Sequence, residues 1–287
     1  EALDRYIESK SNVLSPATYR LYRSLQQQVF RDIEGINVRS ITQEDIQKFV
    51  NAHAEEYRTS SLKLQVCILL SAIHVIRPDF SPKTLYPKEA RKDTHIPNDE
   101  EIRAILAACD DINVRRAVIL AAFGSLRIGE VCALMGADVK GTYITVNKTM
   151  VNNVENQWII KPPKTAGSTR KVAFPAEIIA ELKCGDGERV VNYNPPRLRR
   201  QFAKTLKKAN IQPFKFHALR HYQASKLHAL GVPEKYIMQR GGWESPQVLQ
   251  NVYEHTLDDK EISINEMIGN YFLQLCNTKC NTGADKP

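Results

Sequence analysis

The stretch FHALRHYQAS, residues 216–225, contains two side-chain types that bind phosphate, histidine and arginine. If the stretch is helical, His217 and Arg220 lie three residues apart and share one face of the helix. A guanidinium and an imidazole on one face can hold the oxygens of a phosphate group. The same spacing also occurs on ordinary helices with a hydrated face. The stretch alone therefore leaves both interpretations open.

A long segment around this stretch contains no acidic residue. Residues 190–233 hold nine Lys or Arg and no Asp or Glu, whereas the whole chain has 32 acids in 287 residues. A solvated helix face usually mixes both signs, so this segment favours an anion-binding surface. A second basic cluster lies in a proline-rich segment nearer the N-terminus. The predicted DNA-contacting residues are Arg197, Arg199, Arg200, Lys204, Lys207, Lys208 and Lys215, with Lys88, Arg91 and Lys92 in the second cluster.

The overall composition narrows the class of protein. A net charge of +8 suggests a polyanionic partner, most commonly nucleic acid, although a basic solvated surface is the alternative. No apolar run approaches ~18 residues, so no membrane span is expected. The chain lacks a starting Met and a signal peptide, and we expect it to be a fragment. The two cysteines of CNTKC have no accompanying His or Cys pair, so no zinc site is expected. Nothing in the sequence demands disulfides, which fits a reducing cytoplasm.

Phosphoryl transfer from DNA without a metal ion sets three chemical requirements. Fixed cations must meet the negative charge on the non-bridging oxygens, and arginine suits this because it stays charged and binds in a bidentate way. A hydroxyl group must attack the phosphorus, and an acid must protonate the leaving 5′ oxygen. A complete site therefore needs a second arginine, a nucleophile and an acid in addition to His217 and Arg220.

Five short motifs occur in order along the chain: GSLRIGEVCAL, PKTAGSTRKVAF, HALRH, GGW and NVYEHT. Each motif alone is weak, since H-x-x-R often arises by chance. In this order and at these separations they resemble the catalytic domain of tyrosine recombinases, the phage-integrase family. The helical first unit resembles the core-binding domain of that family, so the resemblance spans about residues 1–275. It points to an integrase of a phage or conjugative transposon, with a chromosome-dimer resolvase as a weaker candidate.

The resemblance implies a role for each residue that matches a motif. Arg127 and Arg220 would bind the scissile phosphate, and Glu130 would support Arg127. His217 would bond the phosphate or assist proton transfer. Trp243 stands where most members carry His; its indole N–H can donate to the phosphate, but it cannot act as an acid or base.

The nucleophile and the general acid are also implied by the resemblance. Tyr253, ten residues after Trp243, matches the nucleophile, and the arginines must activate it because the pKa of free tyrosine is about 10. Lys164 matches the mobile lysine that protonates the 5′ oxygen, with Lys161 and Lys171 as alternatives. The rival tyrosines, by residue type only, are Tyr222, Tyr236 and Tyr271.

The elements that must position these residues are mainly α-helices. Ser15 with Pro16, Thr42 and Asn98 are helix-start signals, and a helix ending at Gly124 is followed by a new helix after Arg127. The spacing of apolar residues then changes to every second residue. The segments TYITVN, QWII and RKVAF predict a small three-stranded antiparallel sheet with turns at NNVEN and PKTAGST. After Pro175 the chain returns to helices.

The predicted organisation has two domains that close as a C-clamp around duplex DNA. Residues 1–80 form a helical, SAM-like core-binding domain, and residues 81–97 form a linker. Residues 98–258 form the catalytic domain, and residues 259–287 form a tail helix with a disordered end.

The function implied by the resemblance is site-specific recombination of a mobile element without a metal, ATP or another cofactor. Attack by Tyr253 would give a 3′-phosphotyrosyl intermediate, and strands would exchange through a Holliday junction. The implied partners are double-stranded attachment-site DNA in the bacterial nucleoid, three further copies in a homotetramer with exchanged C-terminal tails, and an accessory directionality factor. The alternatives are a type IB topoisomerase, a telomere resolvase, or a non-catalytic DNA-binding regulator.

Overall fold

The computed structural model describes residues 1–88, 95–153, 155–163 and 169–246. The chain divides into two compact units, formed by the described residues of 1–93 with 151–159 and by those of 94–150 with 160–287. Residues 151–159 thus group with the first unit although they lie far along the chain. The domain boundaries expected from the sequence stay predictions.

The first unit is built from helices, two of which start at the capping residues expected from the sequence. Its helices are α1 (Ala2–Ser9), α2 (Pro16–Gln28), α3 (Gln43–His53) and α4 (Thr59–His74). The hydroxyl of Ser15 accepts the N–H of Thr18 at 3.3 Å, and Thr42 and Asp45 form a capping box. The apolar faces of α3 and α4 pack together through residues such as Phe49 and Val66.

The second unit holds seven helices among its described residues. They are α5 (Asp99–Ala108), α6 (Ile112–Gly124), α7 (Ile128–Ala133), α8 (Ala176–Leu182), α9 (Pro195–Lys208), α10 (Ala218–Ala229) and α11 (Glu234–Gly241). The core of the unit contains the apolar side chains of α6, with Leu198 and Phe202 of α9 and Leu219 of α10. Burial of α6 on nearly all sides fixes where its C-terminal end lies, and the candidate site is built on that end.

The strands of the described residues form two small sheets, which corrects the pairing predicted from the sequence. They are β1 (Val139–Lys140), β2 (Tyr143–Val146), β3 (Thr149–Asn152), β4 (Trp158–Lys161) and β5 (Arg170–Ala173). The three-stranded sheet has the order β1-β2-β5, and β4 pairs with β3 in a separate hairpin. Burial explains the difference: Ile144 pairs with Val172 on the core face, whereas Trp158 and Ile160 of β4 are exposed.

Candidate active site

Two helices end in left-handed turns that supply backbone carbonyl groups to the site. Ser125 ends α6 at φ 58°, where its N–H donates to Ala121 O at 3.1 Å. Gly242 ends α11 at φ 64°. Such turns close a helix while leaving its last carbonyls facing outwards, at the negative end of the helix dipole. Guanidinium groups are therefore well matched to both helix ends.

Arg220 lies between these two turns and is 1% exposed. Its Nη1 donates to Ser125 O and, at 2.5 Å, to Gly241 O, while its Cζ lies 4.0 Å from the centre of the Trp243 ring. Within the part of the chain that the structure describes, its Nε and Nη2 have no hydrogen-bond partner. A buried charged donor without a partner is costly, so these two N–H groups fit the oxygens of an anion.

The charge of Arg220 is held in an unfavourable setting. Burial, and then the positive charge of Arg127, lower the pKa of Arg220 well below its usual value. Because that usual value is very high, the guanidinium stays charged at neutral pH. A bound phosphate would relieve both the desolvation and the repulsion between the two arginines.

Arg127 is the N-cap residue of α7 and is held by a carboxylate one turn later. Its backbone N–H donates to Glu130 Oε2 at 2.9 Å, and its Nη1 donates to Glu130 Oε1 at 2.9 Å. Its Nη2 donates to Gly242 O at 2.7 Å, so it reaches the same turn that Arg220 contacts. The Arg127 side chain is 39% exposed, which leaves it accessible to a ligand. Glu130 thus contacts Arg127 through both carboxylate oxygens, and the supporting role that the resemblance implies stays a prediction.

Arg170 belongs to this cluster and was missed by the sequence reasoning. It opens β5, its side chain is 3% exposed, and it forms a two-point ion pair with Glu130. Burial alone would raise the pKa of Glu130, but the hydrogen bonds and charge of Arg170, with a smaller contribution from Arg127, hold that pKa below its ordinary value. A signal was present, because the alternation of RKVAF places Arg170 on the same face as Val172, and a basic residue on a buried strand face requires a buried acid.

His217 lies beside the arginines but differs from the expected helical placement. It is the N-cap residue of α10, and its side chain keeps access to solvent although neighbouring groups surround much of the ring, whereas Arg220 is buried. Its ring meets the ring of His221 edge to face, with centroids 4.7 Å apart. Partial burial, and then the charges or partial charges of His221, Arg220 and Arg127, lower the pKa of His217 to about 4. The imidazole is therefore neutral at pH 7 and has one donor and one acceptor nitrogen.

Trp243 supplies a ring face to the site. It is 9% exposed and packs with Ala224 and Ile237 in a small apolar cluster. A Cβ placed on Gly241 would lie 2.2 Å from Cζ3 of Trp243, so only glycine leaves room for the indole at this turn. The ring covers Arg220 and helps to hold its guanidinium in place by cation–π attraction.

The structure brings five of the predicted site residues into one region, whereas four others lie outside the described residues. Arg127, Glu130, His217, Arg220 and Trp243 gather at the ends of α6 and α11. Tyr253, Lys164, Arg91, Lys92 and the predicted tail 259–287 lie outside the described residues. Lys161 closes β4, and Lys171 is an exposed residue of β5. The roles assigned to all these residues stay predictions.

The predicted DNA-contacting surface is mostly carried by α9. Asn194 caps this helix, and Leu198, Phe202 and Leu206 bind it to the core. Its six cationic side chains are exposed, as are Lys215 and Lys88. Lys208 pairs with Asp110 at 2.5 Å. In α9 the basic residues therefore occupy the face opposite the core, as phosphate contacts would require.

A metal site and a membrane-spanning helix are both absent from the described ranges. They contain no cluster of three or more His, Cys, Asp or Glu side chains that could hold a metal ion. Of the helices in these ranges, none combines the length and the apolar character needed to cross a membrane.

A mainly helical fold that places a buried, incompletely hydrogen-bonded arginine beside a second, accessible one presents a cationic site suited to an anion. Residues 98–260 match the Phage integrase family, and residues 1–53 match the N-terminal SAM-like domain of phage integrases. The chain therefore belongs to the phage integrase family, which confirms the resemblance drawn from its motifs.

Two curated relatives match parts of the chain. A XerC-like tyrosine recombinase from Caldanaerobacter subterraneus subsp. tengcongensis is 26% identical over 212 residues, which cover 61% of this chain and 54% of the relative. The integrase of Salmonella phage P22 is 46% identical over 50 residues, or 17% of this chain and 13% of that protein. The chain thus spans about half the length of the first relative and a smaller share of the second.

Solved structures of similar fold cover most of the chain. A fragment of the Tn1549 transposon integrase, in complex with transposon right end DNA, superposes with a TM-score of 0.72 at 18% identity, covering 93% of this chain and 98% of the fragment. A lambda integrase fragment, as a dimer on a core site, gives 0.65 at 18% identity and covers 88% and 93%. At these identities the likeness shows the fold, and it confirms the mainly helical class with small antiparallel sheets.

Proposed function

We propose that this chain is a site-specific DNA recombinase that breaks and rejoins strands through a covalent protein–DNA intermediate. The observation that carries the proposal is the pair of open N–H groups on buried Arg220, beside the accessible guanidinium of Arg127. Two fixed cations meet the charge that develops on a phosphate under attack, and they do so without reorganisation. A protein that only bound DNA could rely on exposed cations such as those of α9, which bind phosphate without the cost of burying an arginine.

The proposed reaction conserves the energy of the phosphodiester bond. The Tyr253 hydroxyl gives its proton to a base, either neutral His217 or water, as its oxygen bonds the phosphorus, and the bond to the 5′ oxygen breaks. Lys164 gives a proton to the leaving oxygen, which becomes a 5′ hydroxyl. The 5′ hydroxyl of a partner strand then attacks the 3′-phosphotyrosyl bond and releases Tyr253. Neutral His217 would hold a phosphate oxygen or relay the tyrosine proton.

The proposed assembly is supported by the family membership and by a solved structure of similar fold. Lambda integrase is known as a tetramer bound to a Holliday junction, and its fold covers 88% of this chain with a TM-score of 0.65. We extend this to a tetramer on two duplex sites, with each chain closing around DNA as a C-clamp and exchanging residues 259–287 with a neighbour. The proposed DNA is the attachment site of a phage or conjugative transposon, read with an accessory directionality factor.

The first test is formation of a covalent adduct. Wild-type protein and Tyr253→Phe are incubated, without metal, with nicked duplexes made from the ends of the element. An adduct on a denaturing gel with wild type only would establish the nucleophile and the reaction class. No adduct from wild type, on DNA that demonstrably binds, would overturn the proposal in favour of a DNA-binding regulator. Relaxation of supercoiled plasmid at any sequence would instead indicate a topoisomerase.

The rival tyrosines serve as matched controls. The hydroxyl of Tyr222 donates to Asp99 at 2.9 Å, and burial with this hydrogen bond raises the pKa of Tyr222, which makes it a poor nucleophile. Tyr236 is 64% exposed. Tyr222→Phe and Tyr236→Phe are therefore expected to retain the adduct.

The general acid is tested by changing the leaving group. A substrate with sulfur in place of the bridging 5′ oxygen releases a thiolate, which needs no proton. Lys164→Ala should be slow on ordinary DNA and recover on the sulfur substrate. Lys161→Ala and Lys171→Ala should react fast on both substrates. If one of these variants is instead slow on ordinary DNA and recovers on the sulfur substrate, that lysine is the general acid.

A further inference from the structure

The side chain of Arg170 is buried, and burying a guanidinium costs free energy unless its N–H groups form hydrogen bonds. Its Nη2 donates to Glu130 Oε2 at 2.8 Å, and its Nη1 donates to Glu130 Oε1 at 3.2 Å. Its Nε donates to Arg240 O at 2.8 Å, in the last turn of α11. One side chain thus ties the start of β5 to α7 and to α11, the two helices whose ends surround the phosphate site.

Glu130 is shared between Arg170 and Arg127. Oε1 accepts from the Nη1 of both arginines, and Oε2 accepts from Arg170 Nη2 and from the backbone N–H of Arg127. Without Arg170, the pair of Arg127 and Glu130 would carry no net charge. With Arg170 present, the three side chains carry +1, so the guanidinium of Arg127 remains attractive to a phosphate.

Arg170 also packs against the turn at residues 241–242, which ends α11 and supplies carbonyl groups to the site. A Cβ placed on Gly242 would lie 3.2 Å from Arg170 Nη1, so the guanidinium packs directly against this residue. The carbonyl of Gly242 accepts from Arg127, and that of the preceding Gly241 accepts from Arg220. A shift of Arg170 would therefore displace acceptors of both phosphate-binding arginines.

We propose that Arg170 is a positioning residue of the phosphate site, acting through Glu130 and the 241–242 turn on Arg127 and Arg220. It makes no contact with DNA in this role. The inference rests on the proposed function, since it concerns the rate at which that site reacts. The competing explanation is that Arg170 only stabilises the fold.

The test uses Arg170→Lys, which keeps the charge but lacks the planar, forked group that reaches both oxygens of Glu130 and Arg240 O at once. The matched control is Arg115→Lys. Arg115 pairs with Glu181 through Nε and Nη2, and it lies ten residues before Ser125, about 15 Å along α6. Loss of a group that orients a ligand-binding residue typically costs about 10- to 100-fold. We expect a loss of adduct-formation rate in this range for Arg170→Lys, with unchanged DNA affinity, and near wild-type rates for Arg115→Lys.

A double-mutant cycle separates positioning from simple stability. If Arg170 acts through Arg127, then Arg170→Lys will slow Arg127→Ala much less than it slows wild type. Weaker stabilisation of the Glu130 carboxylate should also move the acid limb of the rate–pH profile to higher pH in Arg170→Lys. Additive rate losses with an unmoved profile, or a wild-type rate in Arg170→Lys, would overturn the proposal.

A second measurement tests the positioning role of Arg170 independently of the proposed recombination reaction. Inorganic phosphate should raise the melting temperature of wild type and of Arg115→Lys, and raise that of Arg170→Lys less. If wild type forms no adduct, the proposed reaction fails, and the phosphate shifts still decide whether Arg170 organises the site. Equal shifts in all three proteins would refute the role of Arg170.

Discussion

Replacement of Arg220 by lysine should abolish most of the reactivity of the site while leaving its charge. The two open donors of Arg220 would each form a charge-assisted hydrogen bond to a phosphate oxygen, worth about 1.5–3 kcal/mol. Lysine has one ammonium group, which cannot bond Ser125 O and Gly241 O and also present two donors to the phosphate. Loss of at least one such bond, with poorer placement of the other, costs about 3 kcal/mol, or on the order of 10²-fold in rate.

The assay is the single-turnover rate of adduct formation on a nicked duplex, with protein in excess over DNA. The matched control is Arg116→Lys. Like Arg220, Arg116 donates to backbone carbonyls, in this case the three of Glu181, Lys183 and Val190, but it lies away from the site. A rate for Arg220→Lys within about threefold of wild type would refute the assignment of the open donors to the reacting phosphate. Slowing of Arg116→Lys to the same extent would indicate a general loss of fold.

Three further predictions concern packing, pH and salt. Gly241→Ala should lower the free energy of unfolding by about 1–3 kcal/mol in urea titrations, because its Cβ would overlap Trp243, whereas Gly187→Ala has open space around its Cβ and should be neutral. The pKa of His217, about 4, lies below the ordinary 6.5, so protonation favours the unfolded chain. The free energy of unfolding should therefore fall as the pH drops from about 6.5 to about 4. His217→Gln should reduce that fall, and an unchanged dependence of the free energy of unfolding on pH would contradict the prediction. If Lys204 on α9 contacts a phosphate, Lys204→Ala should reduce the slope of log DNA affinity against log salt concentration by about one. An identical slope would show that Lys204 is not part of the DNA-contacting surface.

The sequence was most informative where a motif and a local backbone rule coincide. The helix starts at Ser15, Thr42 and Asn98 were predictable because a capping side chain satisfies backbone N–H groups within three residues. The contact of Glu130 with Arg127 is equally local, since the carboxylate reaches back one turn to the N-cap. Interactions of this kind depend on little beyond the immediate neighbours, so sequence reasoning recovers them.

Long-range arrangements were less accessible. The sequence placed QWII beside RKVAF, but β5 pairs with β2, because the choice of partner depends on which strand has a buried face to share. Arg170 escaped notice because its partners, Glu130 and Arg240, lie 40 residues before it and 70 residues after it. The convergence of the α6 and α11 ends likewise results from packing of the whole unit, and this convergence leaves Arg220 with two open donors.

The stacking of Trp243 on Arg220 gives the protein a built-in optical reporter. The chain has two tryptophans, and Trp158 is 36% exposed in β4, whereas Trp243 is buried against a cation. The emission of an indole responds to nearby charge and to solvent, so the two residues should fluoresce at different wavelengths. In Trp158→Phe the remaining signal would come from the active site alone. Occupancy of the phosphate site could then be followed in real time, on unlabelled protein and unlabelled DNA.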